Sequence, residues 1–125
     1  MIKKLARVSK AGFEIQERGI LNFWVFVDYE EGCSQGVGGL ALDEWNEEKH
    51  EREGTAYGCE MIRQLLLFFG VNNLTEIKKD TMVYVLGDGD GFGFQPKGFE
   101  HLKVLRGNLP ERIIFEEIAK EFIES

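Results

Sequence analysis

The segment from Arg52 to Gly58 combines residue types that could bind an anion. Arg52 supplies a cation, Thr55 supplies a hydroxyl, and Gly54 and Gly58 supply flexible backbone at the start of an apolar helical pattern. Unpaired N–H groups and the helix dipole favour anions at a helix N-terminus, so Arg52 and Thr55 are candidate phosphate ligands. The alternative is an ordinary N-cap, in which Thr55 accepts a hydrogen bond from an early N–H and Gly58 serves packing.

A second candidate group lies towards the C-terminus, where aromatic and basic side chains occur close together. The aromatic rings could stack on a base, and the basic groups could attract phosphate within an otherwise acidic chain. The same aromatics could equally belong to a core or an interface. The members of this group are Phe92, Phe94 and Phe99, with Lys97, Lys103, Arg106 and Arg112.

Glycine is unusually frequent and unevenly placed. The chain has 15 glycines, of which nine fall within residues 32–39 and 87–98. Glycine tolerates positive φ and close approach of a ligand, so these segments are candidate binding loops, with Gln35, Gly38 and Gly39 in the first. Turns and β-bulges are the alternative. The first segment lacks the spacing of a dinucleotide fingerprint and the lysine of a phosphate-binding loop.

Metal binding and catalysis have little support in the sequence. Asp88-Gly89-Asp90-Gly91 is typical of the start of a calcium loop, but the twelfth position from Asp88 is Phe99, and Glu100 comes one residue late. The two cysteines and two histidines lack the spacing of zinc ligands. No nucleophile elbow or acid–base pair is evident, so we expect neither a metal, a cofactor nor an enzyme.

Length and charge restrict the classes of partner. The 125 residues suffice for a single domain, residues 1–125, and the net charge of −7 argues against a nucleic-acid polymer as partner. No apolar run approaches the roughly 20 residues of a membrane span, and the basic N-terminus lacks the apolar stretch of a signal peptide. We therefore expect a cytoplasmic protein with no membrane partner, in which Cys33 and Cys59 are reduced.

The elements that must position these residues begin with an antiparallel meander. Strands are predicted over residues 13–17, 20–28 and 35–42. The second strand is almost continuously apolar, which indicates burial on both faces or one face at an oligomer interface. The acid-rich residues 43–53 are predicted to be a solvated loop. A helix is then predicted between Thr55 and Gly70.

The second half of the chain adds two more strands and a helix. The strands are predicted over residues 81–86 and 99–105, with a loop over 87–93. Two starts are open for the last helix: a capping box of Asn108 with Glu111, or a later start near Phe115. The order of elements predicts an α+β fold, in which antiparallel sheet packs on one main helix with a second helix near the C-terminus.

Three motifs resemble a family of small bacteriophage proteins. The similarity extends over residues 12–108, and its two glycine motifs are the specific part. The family pattern has a histidine where this chain has Arg18 and a tyrosine where it has Leu40. The motifs are GFEIQERGIL at residues 12–21, QGVGGLALD at residues 35–43 and GTAYG at residues 54–58.

The family is similar to the phage Thoeris anti-defence sponges, which bind cyclic ADP-ribose isomers, and in some cases cyclic oligonucleotides, without degrading them. The resemblance implies a homo-oligomer in the cytoplasm of the infected bacterial host that sequesters a small anionic cyclic nucleotide. It also implies that Arg52 and Thr55 face phosphates, that the aromatic loop faces adenine, and that Arg106 or Arg112 adds positive charge.

Two other functions are open from the sequence. An acidic protein-binding inhibitor of a host defence complex, similar to an anti-CRISPR that mimics nucleic acid, would use the acidic cluster as its working surface. A cyclic-nucleotide phosphodiesterase is disfavoured because no acid–base pair is evident. The acidic cluster consists of Asp43, Glu44, Glu47, Glu48, Glu51 and Glu53.

Overall fold

The computed structural model describes residues 1–103 and 110–123. Its elements are β1 (Ile2–Ile15), β2 (Leu21–Tyr29), β3 (Ser34–Gly38), β4 (Asp43–Asn46), β5 (Glu51–Gly54), α1 (Ala56–Phe69), β6 (Thr81–Asp88), β7 (Gln95–Glu100), β8 (Arg112–Ile114) and α2 (Phe115–Ile123). Six antiparallel strands form one sheet in the order β3-β2-β1-β6-β7-β8, and β4 pairs with β5 in a separate hairpin. The predicted α+β class, with sheet, main helix and C-terminal helix, is confirmed.

Strand β1 begins much earlier than the strand predicted at residue 13. Ala6 and Val8 are completely buried. After a β-bulge between Val8 and Lys10, the positions that pack on the core become Ala11 and Phe13. The extra residue breaks the alternation by which a strand is identified. The basic N-terminal segment is therefore a central strand, paired with β2 on one side and β6 on the other.

Strand β2 confirms the strand predicted over residues 20–28 but not its burial on two faces. Phe23, Val25 and Val27 are completely buried in the core. Trp24 and Phe26 alternate with them and point to the outer face of the sheet, where Phe26 keeps 37% of its surface exposed. The prediction of two buried faces is therefore wrong for the single chain.

Strand β3 ends at Gly38, before the predicted end at Leu42. Gly38 and Gly39 have φ values of 123° and 74°, which residues with side chains rarely adopt. These angles turn the chain out of the strand direction. A Cβ on Gly39 would also lie 2.6 Å from the indole ring of Trp24. Glycine is required here by the turn and by the packing of that ring.

The acid-rich stretch predicted as a loop forms the hairpin of β4 and β5, so the loop prediction is wrong. Trp45 lies opposite Arg52, and Glu44 lies opposite Glu53. Acidic composition indicates solvent exposure, but it does not reveal a register fixed by backbone pairing. An ion pair between Arg52 and Asp43 at the open end of the hairpin adds to that pairing.

Helix α1 begins and ends where the sequence predicts. The Thr55 hydroxyl accepts a hydrogen bond from the Gly58 N–H at 3.0 Å, and Gly70 ends the helix in the left-handed region. No helix in the described part of the chain is long and apolar enough to cross a membrane. The side chains that α1 buries against the sheet are Met61, Leu65 and Phe68.

The C-terminal elements are partly displaced from their predicted positions. The strand predicted from Thr81 is confirmed, but β7 shares only residues 99 and 100 with the strand predicted over 99–105, of which residues 104 and 105 lie outside the described part of the chain. Pro96 argues against a strand, yet it lies opposite Gly87 at a register irregularity, where proline is tolerated. The later start of the last helix, at Phe115, is confirmed. Asn108 of the alternative capping box lies outside the described residues.

Candidate functional site

A cleft opens at one end of the core-facing side of the sheet, where β1, the β2–β3 turn and residues 91–94 meet. Its volume is about 340 Å³, and it is hereafter the Lys4 cleft. Its lining combines a cation, a carboxylate, an amide and three aromatic rings. The residues that supply these groups are Lys4, Tyr29, Glu31, Gln35, Phe92 and Phe94.

Lys4 is the cation of this cleft, and aromatic rings hold it in place. Its Nζ lies 4.6 Å from the centroid of Phe94 and 5.5 Å from that of Tyr29, which is cation–π distance. The carboxylate of Glu31 lies 3.4 Å from the same nitrogen and is largely exposed. Gly87 leaves room for Phe94, since a Cβ there would come within 2.7 Å of its ring. The ammonium group is therefore fixed at the base of the cleft.

Gln35 presents an oriented amide beside Lys4. The Tyr29 hydroxyl donates to Gln35 Oε1 at 2.5 Å, and Gln35 Nε2 donates to the Phe94 carbonyl at 3.4 Å. Burial first, and Glu31 second, raise the pKa of Tyr29 to about 12, so its hydroxyl remains a donor at neutral pH. These bonds leave Gln35 one amide hydrogen and one oxygen lone pair, which suit the polar edge of a base or a ribose.

Phe92 lies at the rim of the Lys4 cleft and is completely exposed. It occupies a 3₁₀ turn, Gly91–Gly93, and Gly89 and Gly91 before it adopt positive φ. Phe94, by contrast, is buried and serves as the floor. An apolar ring held fully in water can gain by stacking on a flat ligand that enters the cleft.

At the start of α1, the other candidate anion site, Arg52 Nη2 and the Thr55 hydroxyl are already engaged within the fold. Arg52 Nη2 donates to Asp43 Oδ1 at 2.8 Å and to the Asp43 carbonyl at 3.1 Å. The Thr55 hydroxyl donates to the Leu42 carbonyl at 2.8 Å while it accepts from Gly58. Arg52 Nε lacks a partner among the described residues, but it is buried. Arg52 and Thr55 thus brace the hairpin against the helix.

Electrostatics at this position support the same conclusion. The hydrogen bond from Arg52 is the main cause that lowers the pKa of Asp43, and the same bond raises the pKa of Arg52. A Cβ on Gly58 would collide with the Leu42 carbonyl, so the close approach that this glycine permits is to backbone. The geometry is that of the capped helix with a packing glycine.

The remaining residues predicted as ligands lie apart from the Lys4 cleft. Phe99 is completely buried, with its ring centroid 5.9 Å from that of Phe115 in the core. Arg112 donates to the Glu100 carboxylate at 2.9 Å on the far edge of the sheet. Arg106 lies outside the described residues. Gly38 and Gly39 pack under the rings of Phe23 and Trp24, respectively.

The structure therefore brings together Gln35, Phe92 and Phe94 and adds two residues that the sequence analysis missed. Tyr29 joins the site through its hydrogen bond to Gln35, and Lys4 lies two residues before Ala6, which pairs with Tyr29. One signal was available for Lys4: it shares the alternation of Ala6 and Val8, which places it on the core-facing side.

One thiol lines the Lys4 cleft, and the described residues include no metal-binding cluster. Within residues 1–103 and 110–123, no group of three or more His, Cys, Asp or Glu residues could hold a metal ion. Cys33 and Cys59 are free and exposed, and Cys33 lines the Lys4 cleft. The site therefore offers a cation, an amide, aromatic rings and one thiol to a ligand.

Comparisons with known proteins add no assignment. No family model, curated protein or solved structure gives a significant match to this chain.

Proposed function

We propose that this chain binds a small anionic cyclic nucleotide in the Lys4 cleft and holds it without converting it. The observation that carries the proposal is the convergence of three unlike groups on one cavity of about 340 Å³: a fixed cation, an oriented amide and an exposed aromatic ring. Cavities of this size that are mostly apolar with a few placed polar groups are typical ligand sites.

Each group has a distinct task in this proposal. Phe92 stacks on the adenine ring, and Lys4 attracts a phosphate oxygen once the ligand displaces the exposed Glu31 carboxylate. Gln35 hydrogen-bonds the edge of the base or a ribose hydroxyl with its unused hydrogen and lone pair. A single cation suits one small anion better than a polyanion.

The biological role we propose follows from the resemblance to the phage sponges. A homo-oligomer in the cytoplasm of an infected bacterium would withdraw a cyclic nucleotide immune signal, such as a cyclic ADP-ribose isomer, before the host effector detects it. Sequestration requires tight binding and intact release, whereas a phosphodiesterase would release a cleaved product.

Thermal melting followed by product analysis tests this function. The protein is melted with cyclic ADP-ribose isomers and cyclic oligonucleotides at about a hundredfold excess over Kd, where a ligand adds about 2.7 kcal/mol and raises Tm by several degrees. The heat-released ligand is then analysed by chromatography and mass spectrometry. Intact ligand supports sequestration, cleaved ligand indicates an enzyme, and no shift with any nucleotide contradicts the proposal.

One observation favours a second candidate, the acidic protein-binding inhibitor. The β4–β5 hairpin exposes Trp45 by 49% among carboxylates, and Glu44 lies directly opposite Glu53. Lys49 Nζ lies 3.6 Å from the Glu53 carboxylate and compensates one of these charges, so a basic partner would pair with Glu44 while it covered the indole.

A matched pair of variants separates the two candidates. Trp45→Ala and Phe92→Ala each remove one exposed aromatic ring, from the hairpin and the cleft respectively. In cells that carry a nucleotide-signalling defence, loss of protection with Phe92→Ala alone supports the sponge. Loss with Trp45→Ala alone supports the protein-binding inhibitor.

A further inference from the structure

The outer face of the sheet, opposite the core, carries an aromatic pair in which Phe26 is exposed and Trp24 is half-buried. The rings of Trp24 and Phe26 lie 5.9 Å apart at an interplanar angle of 20°. They cover the edge strand β3 at Gly36, where a Cβ would lie 2.9 Å from the indole ring and 3.1 Å from the phenyl ring. The glycine lets the rings lie close to the sheet, with apolar surface open to solvent.

Beside these rings, β1 forms the floor of a groove of about 200 Å³. Gly12 pairs with Trp24, and nothing lies within 4 Å of the position that a Gly12 Cβ would take. Lys10 and Glu14 stand on either side of Gly12 on the same face, and both are exposed. Neither has an ion-pair partner in the part of the chain that the structure describes. Lys10 Nζ lies 5.1 Å from the Phe26 centroid.

We propose that this face packs against the same face of a second copy, with a two-fold axis that crosses β1 at Gly12. Lys10 and Glu14 lie at equal distances from Gly12, about 7 Å along the strand in each direction. An axis perpendicular to the strand exchanges these two positions. Lys10 of one copy then meets Glu14 of the other, and the symmetric pair forms at the same time.

The charge pattern also selects this axis over its alternative. A two-fold axis parallel to the strand would place Lys10 against Lys10 and Glu14 against Glu14, which is repulsive. The perpendicular axis runs from Gly12 to Trp24 on the neighbouring strand, so the two Trp24 rings meet each other beside the open space over Gly12. A net charge of −7 opposes self-association through most surfaces, whereas this face has balanced charges around an apolar centre.

The partner is therefore a second copy of this chain. The face is opposite to the core-facing side on which the Lys4 cleft opens, so the two copies do not cover the cleft.

Sedimentation velocity across protein concentrations tests the interface through charge reversal. Lys10→Glu places four carboxylates in two facing pairs, and Glu14→Lys places four ammonium groups there. Each variant should weaken dimerisation by roughly tenfold or more. The double variant Lys10→Glu with Glu14→Lys restores both pairs with reversed sign and should dimerise again. An equimolar mixture of the two single variants should form heterodimers.

Two control variants change the net charge by the same amount as the charge reversals at Lys10 and Glu14, but at positions outside the proposed interface. Lys79→Glu and Glu17→Lys alter exposed residues in turns outside this face and should leave the dimer unchanged. Circular dichroism and melting confirm that each variant is folded. A wild-type chain that is monomeric at all concentrations would overturn the proposal. So would a dimer that single reversals do not weaken, or one that the double reversal fails to restore.

Discussion

The start of helix α1 and the Lys4 cleft are built from similar parts. Each places one cation beside hydrogen-bonding groups: Arg52 with Thr55 at the helix, and Lys4 with Gln35 in the cleft. At the helix, the Asp43 carboxylate pairs with the guanidinium, and the cap and the Leu42 carbonyl occupy the hydroxyl. In the cleft, the amide keeps unused hydrogen-bonding capacity and an apolar ring stands in water.

This difference shows that residue type alone does not identify a binding site. A cation that is paired and hydrogen-bonded inside the fold stabilises the fold, and a ligand would have to replace those bonds. The cation of the open cleft is instead paired with an exposed carboxylate, that of Glu31, which the anion of a ligand can displace. Access to the unused hydrogen-bonding capacity therefore separates the two regions, because the unpartnered Arg52 Nε is buried whereas the Gln35 amide lines an open cleft.

The largest expected effect comes from a methyl group at the helix start. Gly58→Ala places a Cβ against the Leu42 carbonyl and should destabilise the protein by about 3 kcal/mol, the upper range for overpacking. Gly93→Ala adds the same methyl group beside the cleft, where nothing lies within 4 Å, and should change stability by less than about 0.5 kcal/mol. Urea unfolding measures both. Equal losses of unfolding free energy in Gly58→Ala and Gly93→Ala would contradict the difference in packing between the helix start and the cleft.

Removal of the Arg52 guanidinium should have the next largest effect. Arg52→Met leaves the Asp43 carboxylate buried without its cation, at a cost of about 2 kcal/mol in unfolding free energy. The cost is below that of a fully buried pair because Arg52 keeps 21% of its side chain exposed. Urea unfolding gives the loss, and calorimetric titration should show unchanged nucleotide affinity. Loss of nucleotide affinity in a folded Arg52→Met variant would show that the ligand binds at the helix start.

Low pH should weaken the ion pair between Arg52 and Asp43, with a smaller loss of unfolding free energy. The pKa of Asp43 is lowered in the folded chain, chiefly by Arg52, so the pair stabilises above the unfolded pKa of about 4. That contribution is lost as pH falls through the lower folded value. Arg52→Met should therefore lose less stability between pH 7 and pH 3 than the wild type. The pKa of Glu100 is also lowered, chiefly by Lys3, so Glu100 contributes to the pH dependence of stability in both proteins.

Much of the fold could be predicted, because its signals are local. Helix α1 has an amphipathic pattern between a capping threonine, Thr55, and a terminal glycine, Gly70. The part of β1 before residue 13 was missed because the bulge after Val8 shifts the alternation by one residue. The β4–β5 hairpin was missed because its register is fixed by backbone pairing, which an acid-rich composition does not indicate.

The cleft could be predicted only in part. Phe92, Phe94 and Gln35 were candidates because aromatic and glycine-rich segments stand out in the sequence. Lys4 belongs to the site through the β1–β2 pairing and the contact between β3 and residue 94, both of which are tertiary. Whether a polar side chain is already bonded also depends on tertiary contacts, so Arg52 was a candidate ligand although the fold already engages its guanidinium.

Calorimetric titration of matched cleft and helix variants tests the central claim most directly. The probe is a cyclic ADP-ribose isomer that shifts the melting of the wild type. Phe92→Ala and Lys4→Met should each weaken its binding by roughly tenfold or more, from lost stacking and lost charge, with little change in stability. Arg52→Met should bind as the wild type does. Wild-type affinity in both cleft variants, with binding abolished in a folded Arg52→Met, would contradict the account.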